Sequence, residues 1–163
     1  MPIQPSPEGT YGTRGMGPKW LQRLLEPLAK RGIKSYRKTG GTNRMATMMG
    51  FPVVLLTTKG AKSGEERTVS VGGFADGDEA WLMVASNNGS PRHPAWFKNM
   101  VRHPDDVSLE VGSRKMKVQC ESLTGSERET ALARIAAISA RYGKYPSKTD
   151  REIPIVRLTR LSG

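Results

Sequence analysis

The sequence predicts an α+β protein, a small and mostly antiparallel β-barrel with helices packed on its outside. The apolar segments with high β-propensity are short, and turn signals such as Asp76-Gly77 and Gly112-Ser113 join several of them as hairpins. The predicted order is helix, three strands, helix, two strands, helix, strand, which leaves few crossover connections. A length of 163 residues suits one domain of this kind.

The N-terminal third predicts little β-structure. Residues 1–17 contain four Gly and three Pro with almost nothing to bury, so we expect a flexible tail ahead of a single domain over residues 18–163. Pro18 is expected to open a short helix over residues 19–30, which Pro27 kinks or shortens. An apolar stripe at helical spacing supports this helix: Trp20, Leu21, Leu24, Leu25 and Leu28. Residues 30–50 are expected to form a loop with a Met cluster that fills core or pocket (Met45, Met48, Met49).

Strand signals begin at Pro52. Residues 51–59 are β-branched and apolar and predict a buried strand, followed by a second strand over residues 67–77 that Gly72 and Gly73 are expected to bulge. The Asp76-Gly77 turn leads to a third strand over residues 79–86, and Pro94 is expected to open a short helix over residues 95–103.

The C-terminal third predicts a hairpin, a helix and a strand. Residues 106–111 and 115–123 alternate apolar and polar side chains on either side of Gly112-Ser113. The helix is expected over residues 127–142, where Ser126 and Glu129 have capping-box spacing and Gly143 stands at a C-cap position. Residues 153–161 predict the last strand.

The net charge of +11 is concentrated toward the N-terminus. Residues 1–67 hold 12 Lys and Arg against 4 Glu, a balance of +8, whereas residues 68–163 hold 14 against 11, a balance of +3. Such a field attracts an anionic partner, which could be nucleic acid, an acidic membrane surface or a polyanionic small molecule. The single Cys120, the absence of a long apolar run and a start unlike a signal peptide predict a cytoplasmic protein.

Three segments are candidates for chemistry. The first is a basic, glycine-bearing loop over residues 59–67, whose cations and turn amides suit a phosphate or carboxylate, although a solvated hairpin would look the same. The second is residues 85–96, a polar stretch between a strand and a helix that could cap a ligand or simply connect the two elements. The third is the group Tyr142, Tyr145, Lys148, Thr149, Asp150 and Arg151, where the tyrosines could line a flat pocket or pack the helix.

Other chemistry is disfavoured by the spacing of its residues. His93 and His103 have no Cys or carboxylate at ligand spacing, so we expect no metal site. Cys120 lies in an alternating strand, where it is expected to be a small buried hydrophobe.

Taken together, LLTTKGAKSGEERTVSV, WLMVASNNGSPRHPAWFKNMVRHPDDVSLEVG and YGKYPSKTDREIPIVRLTR resemble the deazaflavin-dependent nitroreductase and quinone reductase family of actinobacteria. The resemblance covers about residues 50–161. It implies a split β-barrel of the flavin-reductase-like type and a strongly anionic coenzyme, the 8-hydroxy-5-deazaflavin F-420, whose charge matches the basic N-terminal half.

The resemblance also implies a reaction and its residues. Reduced coenzyme F-420 would pass hydride to a quinone, a nitro compound or an unsaturated ring compound such as an enone. Coenzyme contacts are expected from Lys59, Gly60, Ala61, Lys62, Ser63, Arg67, Val69, Ser86, Asn87, Asn88, Gly89, Pro94 and Trp96. Tyr142, Tyr145 and Ser86 are the expected catalytic residues. The N-terminal basic segment would make a weak contact with a membrane surface.

Two alternatives remain open from the sequence. One is a barrel of the same type that binds FMN or haem, because charge favours the more anionic coenzyme without excluding FMN. The other is a basic nucleic-acid-binding barrel, which the small number of aromatic residues and the lack of aromatic and basic interleaving disfavour.

Overall fold

The described residues of the computed structural model, 2–44, 46 and 49–162, form a curled antiparallel sheet of seven strands. The strands are β1 (Val53–Lys59), β2 (Glu66–Gly72), β3 (Phe74–Ala75), β4 (Ala80–Val84), β5 (Ser108–Val111), β6 (Arg114–Ser122) and β7 (Ile155–Arg160). They lie in the order β2-β1-β5-β6-β7-β4-β3. This is the split β-barrel that the resemblance implies, and the predicted fold class is confirmed.

A glycine turn holds the two edges of the sheet together. Strands β2 and β3 lie at opposite edges, yet only Gly73 separates them in sequence. A Cβ atom at Gly73 would lie 2.6 Å from Cγ2 of Val54, so this close approach requires glycine. The sequence predicts one bulged strand here, whereas the structure divides it into β2 and β3.

The core consists of two clusters on opposite faces of the sheet. Alternation along β4 assigns Trp81 and Met83 to the barrel interior, and Leu82 and Val84 to the outer cluster. The outer cluster includes the helical residue Ile135 and both tyrosines of the third candidate segment. The face that packs the helices is therefore continuous with a candidate site.

Four α-helices flank the sheet in the described part of the chain: α1 (Lys19–Thr39), α2 (Ala95–Arg102), α3 (Gly125–Ile138) and α4 (Ala140–Lys144). Helix α1 is longer than predicted, because it continues through Pro27 and ends only at Gly40, which is left-handed (φ 62°). Met45 and Met48 of the predicted Met cluster lie outside the described residues, and Met49 is exposed.

Helix α1 is anchored only by its C-terminal half. Gly32 and Tyr36 are its buried residues, and the Tyr36 hydroxyl donates to the Val53 carbonyl and accepts from the Gly112 amide. Most of the predicted apolar stripe faces solvent: Trp20, Leu24, Leu25 and Leu28 are 48–68% exposed. No helix of the described chain combines the length and the apolarity that crossing a membrane requires.

The predicted C-terminal helix is divided. Helix α3 begins at Gly125 after Thr124, so the predicted capping box at Ser126 and Glu129 is wrong, and Ser139 (φ −139°, ψ 105°) interrupts the helix before α4. Strand β6 buries Cys120 as expected, and burial raises the pKa of its thiol to about 12. This thiol therefore stays protonated at neutral pH.

The N-terminal strap, residues 2–16, lies along the surface of the barrel. Pro2 pairs with Glu121, the Gly9 amide donates to the Pro91 carbonyl, and the Thr10 hydroxyl donates to Asp150 at 2.6 Å. Gly9 packs so closely on Asp150 that a Cβ atom there would overlap its carboxylate. The division into a flexible tail (1–17) and a barrel domain (18–163) stays a prediction, but the strap has a defined course.

Candidate active site

Helix α2 connects the first two candidate segments. It begins immediately after residues 85–94 and packs against the end of β1. The buried Asn99 side chain on this helix donates to the Thr58 hydroxyl (3.1 Å) and accepts from the Ala61 amide (2.9 Å). Asn99 therefore fixes the start of the basic loop relative to α2. The sequence gives no signal for Asn99, because an amide inside a short helix carries no pattern of its own.

The basic loop, residues 59–67, is a tight turn with exposed cations. The Gly60 amide donates to the Glu65 carbonyl (2.7 Å), and the Gly64 amide, at a φ of 72°, donates to the Gly60 carbonyl. Arg67 lies 3.3 Å from Glu65, and Lys59 lies 3.8 Å from Asp106. Lys62 forms no ion pair with any residue that the structure describes. The loop thus presents an unpaired ammonium and two weakly paired cations to solvent.

The second loop, residues 86–89, has an unusual backbone and is called the amide loop below. Ser86 is right-handed, whereas Asn87, Asn88 and Gly89 have φ values of 43°, 55° and 81°. Positive φ is uncommon for residues other than glycine, and asparagine is among the residues that tolerate it best. A right-handed residue followed by a left-handed one turns successive N–H groups toward the same side and creates an anion-binding concavity.

The hydrogen bonds of the amide loop fit that description. Every carbonyl from residue 85 to residue 90 accepts a hydrogen bond from within the protein. In contrast, none of the hydrogen bonds among the described residues uses the amides of Ser86, Asn87 or Asn88. Three successive backbone donors of this loop therefore have no partner among the described residues.

A buried arginine holds the amide loop from below. Arg151 is 4% exposed and donates to the carbonyls of Ala85 (2.9 Å), Ser86 (2.8 Å) and Ser90 (3.1 Å). No carboxylate of the described chain accepts a hydrogen bond from it. Its guanidinium therefore places a positive charge beneath the loop, balanced by carbonyl dipoles.

His93 is the fourth partner of Arg151. Guanidinium groups only donate, so the Nδ1 atom of His93, 2.8 Å from an Arg151 nitrogen, must be unprotonated. The Nε2 atom then carries the proton and donates to the Ser6 carbonyl of the N-terminal strap at 2.8 Å. Burial lowers the pKa of His93, the bond to Ser6 opposes this shift, and the Arg151 charge adds to it.

The N-terminal strap also contacts the amide loop directly. The Thr13 hydroxyl donates to the Asn88 carbonyl (2.7 Å), and the Thr13 amide donates to the Gly89 carbonyl (3.0 Å). A Cβ atom at Gly12 would overlap the Gly89 carbonyl, so the strap can approach this closely only through glycine. The sequence gives no signal for Thr13, because glycine and proline in this segment indicate flexibility rather than close packing.

Tyr145 of the third segment contacts the amide loop, and Tyr142 packs against Tyr145. Tyr142 and Tyr145 are buried, and their rings meet edge to face at 5.5 Å. The Tyr145 hydroxyl donates to the Asn88 side chain at 3.3 Å. A Cβ atom at Gly72 would lie 2.6 Å from the Tyr142 hydroxyl, so glycine leaves room for this phenol.

The two tyrosines also pack the helix, as the alternative reading of the sequence expects. The Tyr142 ring contacts Phe51 and Phe74 edge to face. Burial, and then the neighbouring Tyr145, raises the pKa of Tyr142 to about 12. The Tyr142 hydroxyl is therefore held protonated over a wider pH range than an ordinary phenol.

The remaining predicted site residues surround these loops. Val69 is half-buried in β2 opposite Leu56, and Pro94 precedes the first residue of α2. Trp96 packs into the barrel core, edge to face with Phe97.

Beside Phe51 lies a mainly apolar pocket of about 60 Å³. The residues of α1, β1 and β2 that line this pocket are Gly32, Tyr36, Val53, Ser70 and Val71.

Comparison with known proteins identifies similar sequences and structures. The family described as F-420H(2)-dependent quinone reductase matches residues 29–160. An F-420H(2)-dependent quinone reductase of Mycobacterium tuberculosis is 36% identical over 148 residues, which cover 87% of this chain and 97% of that protein. A second, putative quinone reductase of the same organism is 27% identical over 107 residues, 66% of this chain and 88% of that protein.

Two solved structures are also similar. An F-420-H2-dependent reductase superposes with a TM-score of 0.59 at 36% identity, covering 66% of this chain and 93% of that one. A structure described as a domain-swapped dimer superposes with a TM-score of 0.62 at 31% identity, covering 86% of this chain and 97% of the other.

Proposed function

The chain belongs to the F-420H(2)-dependent quinone reductase family, and from this premise we propose that its coenzyme lies between the basic loop and the amide loop. The enzyme transfers hydride from reduced coenzyme F-420 to a quinone. Binding of FMN or of nucleic acid, the alternatives that the sequence leaves open, is not favoured.

The proposed site rests on the free backbone amides of Ser86, Asn87 and Asn88. The carbonyls of the same residues accept hydrogen bonds from Arg151, Ser90 and Thr13, so the loop can offer N–H groups to a ligand without losing its internal hydrogen bonds. A deazaflavin ring carries carbonyl oxygens that such amides suit. The residues present therefore fit this coenzyme.

The basic loop would hold the charged end of the coenzyme. Coenzyme F-420 carries a phosphodiester and an oligoglutamate tail, both of which are anionic. Lys62 has no competing ion pair in the described chain, and Arg67 has only the exposed Glu65 at 3.3 Å. When these cations bind a phosphate or a carboxylate of the coenzyme, few interactions that stabilise the fold would therefore be lost.

The tyrosines would face the acceptor. Reduced deazaflavin supplies a hydride from its ring carbon, and the protein supplies position and a proton donor. Hydride addition places negative charge on an acceptor oxygen, and the Tyr142 hydroxyl, protonated up to a pKa of about 12, can donate to it. Ser86 is the second candidate donor. We extend the acceptors from quinones to nitro and enone compounds, which develop the same kind of oxygen charge.

We further propose that helix α1 rests on a membrane surface at the cytoplasmic side. Its exposed apolar ridge, Trp20, Leu24 and Leu28, has i, i+4 spacing. The helix carries seven Lys and Arg against one Glu, a balance of +6. Apolar burial together with anionic lipid attraction is how interfacial helices bind. Lipophilic quinones would then reach the enzyme from the same surface.

An anaerobic turnover assay tests the proposed function. Protein is mixed with reduced coenzyme F-420 and a short-chain quinone, and the return of oxidised coenzyme fluorescence is followed, with reduced FMN as the parallel donor. We expect turnover with reduced coenzyme F-420 as the donor and none with reduced FMN. Coenzyme F-420 should also bind more tightly than FMN, and its affinity should fall with added salt. Equal use of FMN, or no quinone-dependent oxidation, would refute the proposal.

A further inference from the structure

Arg151 lies too deep to reach a ligand, yet it contacts both ends of the amide loop. Its three carbonyl partners, Ala85, Ser86 and Ser90, bracket residues 87–89. Because guanidinium donors have fixed directions, three bonds from one group fix the separation of these carbonyls. The orientation of the free amides between them depends on that separation.

The middle of the amide loop is held by a different part of the chain. Thr13 of the N-terminal strap binds the Asn88 and Gly89 carbonyls, which Arg151 does not reach. His93 connects the two systems, because its ring binds Arg151 through Nδ1 and the Ser6 carbonyl through Nε2. The strap lies entirely outside the matched family region, residues 29–160.

We propose that Arg151, His93 and Thr13 are positioning residues that make the N-terminal strap part of the coenzyme site. Protonation of His93 then releases the strap from this site. This inference rests on the proposed function. It goes beyond that function because it gives a role to the N-terminal strap and to the buried groups that hold the amide loop in place.

The role of the proton follows from the chemistry of the His93 ring. A protonated Nδ1 cannot accept from Arg151, so the bond at 2.8 Å would be replaced by two facing cations. The other charged groups that act on the ring are Glu8 of the strap, which favours the cation, and Lys98 of α2, which opposes it. Glu8 and Lys98 pair at 2.6 Å, so their effects partly cancel. The Arg151 contact therefore decides the response to acid.

The first experiment measures coenzyme affinity by fluorescence quenching of oxidised coenzyme F-420 by the full-length protein. Thr13→Val removes a hydroxyl that donates to the Asn88 carbonyl and accepts from the Gly15 amide. Loss of its bond to the loop is expected to weaken binding about five- to tenfold. Thr39→Val is the matched control, because its hydroxyl binds only its own helix. Arg151→Lys keeps the positive charge but cannot bind the three carbonyls in the same directions. It is expected to weaken coenzyme binding at least as much as Thr13→Val does. Parental affinity in both Thr13→Val and Arg151→Lys would overturn the proposal.

The second experiment is a pH series. In a series from pH 8 to pH 4, wild-type affinity is expected to stay constant above 6.5, the ordinary pKa of histidine, and to fall below it as His93, whose pKa is lowered, gains its proton. His93→Asn presents an acceptor to Arg151 that does not titrate, so its affinity should fall less, whereas His103→Asn, the control at the second histidine, should follow the wild type. Parallel curves for His93→Asn and the wild type would refute the role of the proton.

Hydrogen exchange on the ligand-free protein separates this inference from the proposed function. The Gly89 and Ser90 amides, bonded within the loop, should exchange faster in Thr13→Val and Arg151→Lys than in Thr39→Val. Unchanged exchange would overturn the positioning role even if the coenzyme binds. A wild-type protein that does not quench coenzyme fluorescence would overturn the proposed function and the inference together. A wild type that binds alongside variants that bind equally well would overturn only the inference.

Discussion

Lys62 tests the basic loop at the level of a single residue. Its ammonium is exposed and unpaired within the described chain, so Lys62→Ala should leave stability unchanged while weakening coenzyme binding about tenfold. Lys115→Ala, an exposed lysine on the β5–β6 hairpin, is the matched control. The affinities are compared by fluorescence titration at low and high salt. Identical affinities for the two variants would mean that the basic loop is a solvated turn.

Tyr142 tests the acceptor side. Tyr142→Phe keeps the ring contacts with Phe51 and Phe74 but removes a hydroxyl whose pKa burial raises to about 12. Turnover with a quinone should fall, since loss of a general acid costs about 10²- to 10⁴-fold, while coenzyme affinity stays nearly constant.

The control for Tyr142→Phe is Tyr11→Phe, at a strongly exposed position of the strap. Steady-state kinetics of both variants give the comparison. Unchanged turnover in Tyr142→Phe would assign this ring to packing and move the proton donor to Tyr145, Ser86 or water.

The residues that shape the site are only partly visible in the sequence. Ser86 to Gly89 could be singled out because a polar stretch leaves a strand and enters a helix. That its amides are free follows from the positive φ of Asn87 and Asn88, which tertiary hydrogen bonds impose. Arg151 was among the candidate residues, but its burial could not be foreseen, because arginine is rarely buried without a carboxylate.

At the scale of elements, strands were easier to place than helix ends. The turns at Asp76-Gly77 and Gly112-Ser113 fixed the hairpins, and the observed strands follow the predicted ones closely. Helix α1 was predicted to end near residue 30, but Tyr36 anchors a further two turns through its hydroxyl. Such long-range hydrogen bonds leave no local pattern, so the predicted end was wrong.

Helix α1 also provides a prediction at this scale. Leu24→Ser combined with Leu28→Ser should abolish co-sedimentation with phosphatidylglycerol vesicles, because both side chains lie on the exposed apolar ridge. Turnover with a short-chain quinone in solution should not change, since neither residue contacts the two loops. Ile138→Ser, at an equally exposed position on α3, should bind vesicles as the wild type does. Vesicle binding that survives the double substitution would refute the membrane contact.

At the scale of the whole molecule, the basic residues fall into two groups, those exposed to solvent and those that bind the protein itself. Cations of the first 67 residues are mostly exposed on α1 and the basic loop, where they remain available to anionic partners. Arginines of the C-terminal half bind the protein itself: Arg151 holds the amide loop, and Arg157 joins Asp76, Glu121 and Glu127. The uneven charge balance of the sequence therefore reflects this division, although the sequence alone did not show which cations are paired.

The network around Asp76 makes stability depend on acid. Burial raises the pKa of Asp76, but hydrogen bonds from Arg134 on α3 and Arg157 on β7 outweigh it, so the pKa lies below its ordinary value of 3.8. A lowered folded-state pKa means that the unfolded chain binds the proton first. The stabilisation is therefore complete above the ordinary value and is lost as pH falls through the folded pKa. Asp76 thus holds α3 to the barrel only while its carboxylate is ionised.

Asp76→Asn should lower the free energy of unfolding by about 2 kcal/mol at pH 7, the range for hydrogen bonds to charged groups. The difference between the variant and the wild type should shrink as pH falls below the ordinary carboxyl pKa, because the wild type then loses the same interaction. Asp78→Asn, two residues away and exposed in the same turn, is the control and should match the wild type at every pH. Urea unfolding at pH 7, 4 and 3 gives the comparison. A difference that stays constant across this range would mean that Asp76 acts through packing rather than through its charge.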